Sequence, residues 1–119
     1  VTMALLSESN KENLALILNP RKACTETAIV GGYDDEKILK VKRTIDPLLL
    51  RLNDEGFLNG HTPFSALLAF ISLLTAAITG RKHIVLSNES SSNESTIENS
   101  SVNHQYSKSI EFESDFRTY

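Results

Sequence analysis

The 119-residue chain has a single cysteine, Cys24, so no internal disulfide can form. A lone thiol favours a reducing compartment and points to the cytoplasm. Blocks of basic residues are missing as well. Twelve Lys and Arg are scattered among 15 Asp and Glu, for a net charge of −3. That balance gives no pull toward nucleic acid or anionic lipid. Long apolar runs are short of what a membrane needs. The weakly polar stretch Pro63 to Thr79, PFSALLAFISLLTAAIT, carries Ser65, Ser72, Thr75 and Thr79 and stops short of a comfortable span. It reads as a helix buried on most sides. VTMALLSESN shows neither the basic start nor the apolar core of a secretory leader. No zinc-ligand spacing, G-x-G-x-x-G loop, Walker loop or internal repeat occurs.

What is present fits one globular domain over residues 1–119, with 40% hydrophobic and 23% charged residues. Thr2 to Ser9 suggests the tail of a helix. Leu14 to Leu18 is a short apolar run stopped by Asn19-Pro20, which predicts a buried strand and a turn. Arg21 to Val30 has helical character and ends at Gly31-Gly32. The segment GGYDD has the make-up of a pyrophosphate loop, but it follows a helix and so reads as a helix stop. Ile38 to Lys42 alternates as a second strand. Asp46-Pro47 is an N-cap and first-turn pair opening a helix with Leu48, Leu49, Leu50 and Leu52 that stops near Gly56. Phe57 to His61 reads as a loop. Thr62-Pro63 opens the apolar helix, which ends at Gly80. Ile84 to Leu86 predicts a third strand, and His104 to Tyr119 a last helix. Strands alternating with helices predict an α/β fold, a parallel sheet with helices on both faces.

Three polar clusters follow the expected strands: Asn19-Pro20-Arg21, then Arg43, Thr44 and Asp46, then Ser87, Asn88 and Glu89. Ligands of open α/β sheets bind at the carboxyl ends of strands, so these clusters are candidate site residues. The plain alternative is that strands end in turns and turns are polar. Asn59-Gly60-His61 precedes the apolar helix, where Gly60 permits close approach, helix N–H groups can hold an anion and His61 can carry a proton. The alternative is a helix start with a solvated histidine. His104, Lys108 and Glu111 fall at helical spacing, a stripe able to meet phosphate, metal or carboxylate, or a solvated charged face. HIVLSNESSSNES, residues 83–95, reads either as a strand feeding a linker or as a strand feeding a site loop. Its sequons at Asn88 and Asn93 have no basis without secretion.

Taken together, NGHTPFSALLAFISLLTAAITG, HIVLSNESSSNE and VNHQYSKSIEFE resemble the bacterial UDP-N-acetylmuramoyl-L-alanyl-L-glutamate epimerases, and LALILNP and KVKRTIDPLLLRLNDEGFLNGH fit the same pattern. The resemblance covers essentially the whole chain. It implies an adenine-nucleotide α-hydrolase-like fold related to N-type ATP pyrophosphatases. It also implies an ATP- and Mg²⁺-dependent inversion of the terminal L-glutamate of the UDP-muramoyl dipeptide through an acyl-adenylate, in cytoplasmic peptidoglycan precursor synthesis. Members carry a first strand and an SGGKDS-like pyrophosphate loop. The chain reads as starting after that loop, as a partial α/β domain truncated at its N-terminus. An incomplete, non-catalytic piece and another adenylating enzyme of the same fold are the alternatives.

By this resemblance, Asn59, Gly60, Ser87, Asn88, Asn93, Gln105 and Arg43 are expected to bind substrate or nucleotide. His61, Glu89, His104 and Lys108 are the expected catalytic groups. Glu89 and Glu94 are the expected magnesium ligands, with Ser107, Glu111 and Asp46 in support. The resemblance names no oligomeric state.

Overall fold

The structure, a computed structural model, describes residues 2–9, 11–57 and 63–119. They fall into two compact units, Val1–Gly60 and His61–Tyr119.

In the first unit, α1 (Thr2–Ser7) leads to β1 (Ala15–Leu18), α2 (Lys22–Val30), β2 (Ile38–Val41) and α3 (Pro47–Asp54). The strands pair in parallel, from Ala15 opposite Ile38 to Leu18 opposite Val41. Parallel neighbours require a crossover, and α2 supplies it. The core is small: Ala15, Ala28, Tyr33 and Ile38, with Met3 and Ile17 packed against it. Ala28 is fully buried. A methyl group there lets the helix backbone lie close to the strands.

Gly31-Gly32 is a helix stop, as its position after a helix predicts. The Gly32 N–H bonds Ile29 O at 2.9 Å and the Tyr33 N–H bonds Ala28 O at 3.1 Å. These are the two bonds of a Schellman motif, completed by burial of Tyr33 with Ala28. Gly32 has φ 94°, and a Cβ there would meet Ser7 Oγ at 2.6 Å. Ser7 Oγ in turn donates to Gly31 O at 2.6 Å. Gly32→Ala therefore strains the backbone and displaces Ser7. It is expected to destabilise the first unit by about 1–3 kcal/mol in urea denaturation. Unchanged stability would show that the turn relaxes freely.

At α3, Asp46 Oδ1 accepts from the Leu48 N–H at 2.8 Å and Pro47 occupies the first turn. The N-cap reading of that pair holds. Leu48, Leu49 and Leu50 are each about half exposed.

In the second unit, α4 (Phe64–Thr79) and α5 (Ile110–Thr118) flank a long polar segment. Gly80, φ 67°, ends α4, with Arg81 N–H on Ala76 O at 2.8 Å. The buried stripe of α4 is narrow and made of Ala69, Ser72 and Ala76. The expected burial on most sides is corrected: Phe64, Phe70, Leu73, Leu74 and Ile78 are exposed. Among the described residues no helix is long and apolar enough to cross a membrane.

Two further expectations are corrected. Ile84, Val85 and Leu86 form no strand and are exposed. A strand exists only against a neighbour that takes its backbone bonds, and among the described residues the sheet holds β1 and β2 alone. The last helix begins at Ile110 rather than at His104. Ser109 Oγ accepts from the Phe112 N–H at 3.2 Å and caps it, and Tyr106–Lys108 form a separate 3-10 turn. His104, Lys108 and Glu111 thus do not share one helical stripe.

Candidate functional site

At the carboxyl edge of the first unit's sheet, the structure brings together two of the polar clusters. Asn19 follows β1 with φ 52°, uncommon for a residue other than glycine but tolerated by asparagine. Its N–H donates to Val41 O and its side-chain Oδ1 accepts from the Arg43 N–H, both at 2.7 Å. The main-chain ladder is thereby extended by one side chain. The turn after β2 starts from a fixed point, with the half-buried Arg43 at its head. Asp46, three residues on, is committed to capping α3.

The segment after residue 86 is not a loose linker. It folds on itself through short polar side chains. Asn103 Nδ2 donates to Ser92 O at 2.7 Å, and Ser92 is almost fully buried. Thr96 joins the two limbs twice: its N–H donates to Val102 O and its Oγ1 accepts from the His104 N–H, both at 2.9 Å. Asn93 Nδ2 donates to Ser90 O at 3.0 Å while its Oδ1 accepts from the Ile110 N–H at 2.7 Å. Asn93, expected as a ligand contact, also ties the loop to the start of α5. Asn103 also accepts from the Gln105 N–H, at 2.7 Å.

On this frame Ser87, Asn88, Glu89, Glu94, His104, Gln105 and Lys108 are all exposed. The Glu89 carboxylate accepts from Ser91 Oγ at 3.4 Å. Among the described residues no three His, Cys, Asp or Glu side chains gather as a metal centre. Glu89 and Glu94 are hard oxygen donors on one loop. That donor chemistry fits magnesium held mainly by substrate phosphates, which takes only one or two protein carboxylates. Asn59, Gly60 and His61 lie outside the described residues.

Sequence reasoning passed over Asn103, Tyr106 and Asp115. Tyr106 Oη donates to Asp115 Oδ2, and the ring meets Phe112 edge-on at 5.8 Å. The bond to the Asp115 carboxylate raises the Tyr106 phenol above its usual 10.0. The nine-residue separation of this pair gave no local signal. Asn103 had one: asparagine ahead of a turn commonly accepts from the N–H two residues on.

Comparison with known proteins adds the rest. The MurL N-terminal domain family matches residues 1–119. A UDP-N-acetyl-alpha-D-muramoyl-L-alanyl-L-glutamate epimerase of Salinispora tropica is 31% identical over 95% of this chain and 24% of its own length. One of a Micromonospora species is 37% identical over 95% of this chain and 25% of its own. One of Xanthomonas oryzae pv. oryzae is 40% identical over 69% and 19%. The chain therefore spans about a quarter or less of these curated relatives. No solved structure matches it.

Proposed function

The chain belongs to the MurL N-terminal domain family, and from that premise we propose that it serves an epimerase that inverts the terminal L-glutamate of UDP-N-acetylmuramoyl-L-alanyl-L-glutamate at the expense of ATP. The observation that carries this reading is the match along residues 1–119, joined by three relatives that bear one and the same epimerase name. The parallel β1–α2–β2 unit agrees with an adenine-nucleotide α-hydrolase-like α/β fold. The lone Cys24, exposed and free, agrees with a cytoplasmic site of action.

The chemistry gives ATP a reason to be there. Taking the α-proton beside a carboxylate places a second negative charge next to the first. Transfer of AMP to that carboxylate, with release of pyrophosphate, removes its charge and makes the carbonyl electron-withdrawing. A base then takes the α-proton, an acid returns one to the opposite face, and water releases AMP. His61, Glu89, His104 and Lys108 are the groups we assign to proton transfer and charge stabilisation. Ser87, Asn88 and Gln105 are assigned to binding, and Glu89 and Glu94 to magnesium. Magnesium, when bound, screens the polyphosphate charge.

The epimerase that this chain serves, incubated with ATP, Mg²⁺ and the L-glutamate dipeptide nucleotide, is expected to yield AMP, pyrophosphate and D-glutamate in the dipeptide. ADP in place of AMP removes the adenylate scheme. AMP with L-glutamate retained makes the protein an adenylating enzyme of another kind. His61→Ala is expected to lower turnover by about 10²–10⁴-fold, the usual loss of a general acid or base. Full activity would take His61 out of the chemistry.

A further inference from the structure

Asn19 holds a left-handed backbone conformation directly before a proline. A positive φ is uncommon outside glycine, and the ring of Pro20 further narrows the conformations open to the residue before it. The residue holds φ 52° nonetheless, and a 2.7 Å hydrogen bond to its side chain shows what the conformation achieves. Its N–H continues the parallel ladder to Val41 O, and with Asn19 turned this way its side-chain oxygen meets the N–H of Arg43. Backbone strain of this kind persists where the surroundings enforce it, and it gathers at sites that need a fixed geometry. A plain continuation of the ladder would make the first bond but not the second. What the arrangement fixes is the backbone of Arg43, at the edge where parallel α/β sheets bind ligands.

We infer that Asn19 is a positioning residue that holds Arg43 at the carboxyl edge of the β1–β2 sheet, so that the guanidinium meets an anionic oxygen of a bound phosphate or carboxylate. This rests on the proposed function and on the ligand-binding role that the family resemblance implies for Arg43. A planar guanidinium reads such oxygens through paired, directional N–H bonds, so its contribution depends on where its backbone is anchored. Two sources offer the oxygen, ATP and the UDP-linked dipeptide.

Asn19→Gly keeps the positive φ and removes the acceptor. Asn19→Asp keeps an acceptor oxygen. Calorimetric titration of the epimerase that this chain serves, with ATP and, separately, with the dipeptide nucleotide, reads the effect. In Asn19→Gly one of the two dissociation constants is expected to rise on the order of tenfold, and the titration that weakens identifies the source. Asn19→Asp should restore most of it. Arg43→Ala should cause a similar loss, and the double variant should be no worse than Arg43→Ala alone, because both changes remove one interaction. In turnover, Asn19→Gly should raise the KM of that same ligand and leave kcat within about twofold, a split that general loss of structure does not produce. Binding of both ligands at wild-type strength in Asn19→Gly overturns the inference, as do losses that multiply in the double variant. Absence of epimerisation in the wild type, with the binding losses intact, would remove the epimerase reading and leave the positioning role standing.

Discussion

Tyr33→Ala is expected to cost about 3–5 kcal/mol, the range for truncating a buried aromatic residue. Tyr33 is only 4% exposed and is the one aromatic ring in the core shared by Ala15, Ala28 and Ile38. The other core side chains are small or aliphatic, so they cannot close over the space it leaves. The same residue ends the Schellman motif of α2, and its loss uncouples that stop from the core. Small domains hold about 5–15 kcal/mol in total, so a loss of this size takes much of the first unit's stability. Urea unfolding followed by far-ultraviolet circular dichroism reads it, and a loss below about 1 kcal/mol would mean that the ring is dispensable. Tyr33→Phe separates ring from hydroxyl. Burial pushes the Tyr33 phenol above its usual 10.0. Its contribution is therefore complete below pH 10 and lost as pH rises through the raised value. Tyr33→Phe should lack that alkaline loss while keeping most of the stability at pH 7.

Phe116→Ala is expected to have the largest effect in the second unit, about 2–3 kcal/mol for a half-buried ring in an aromatic cluster. Phe116 lies edge-on to Phe70 of α4 at 5.1 Å and stacks with Phe112 at 5.9 Å. Phe70 also meets Tyr119 edge-on at 5.3 Å. Phe70 thus meets Phe116 within α5 and Tyr119 just beyond it, and Phe116 links Phe70 to Phe112. Removing it loosens the start of α5 as well, which Asn93 ties to the polar loop through the Ile110 N–H. Amide exchange should therefore quicken at Ile110 and around Ser92 in the variant, along with the fall in stability. Protection confined to wild-type values at both places would show that loop and helix are independent.

Local punctuation made much of the fold legible in the sequence. Asn19-Pro20, Gly31-Gly32, Asp46-Pro47 and Gly80 each end or begin an element where their backbone chemistry demands it. Ile84–Leu86 misled because three apolar residues in a row say only that a segment tolerates burial. Pairing depends on a partner that a single segment does not encode. The stretch from His104 misleads because helical spacing takes no account of Asn103 just before it and Ser109 inside it. Those side chains bond nearby backbone groups and favour turns over helix. The candidate site was legible as residue types and as a sheet edge. The bond from Arg43 to Asn19 was not, since it depends on the parallel register that sets Leu18 opposite Val41.

The parallel pairing of β1 with β2 has one more consequence, for the order of folding. Its partners lie roughly two dozen residues apart, a modest closure for a parallel pair, and the nine residues of α2 take up part of that interval as locally bonded helix. The entropy lost on bringing the strands together is therefore small, and the Schellman stop directs the chain back toward the sheet before β2 begins. During synthesis this hairpin of strand, helix and strand is complete once the residues just after Val41 have emerged. A nascent chain thus has a seed for the first unit before any of α4 or the polar loop has been made.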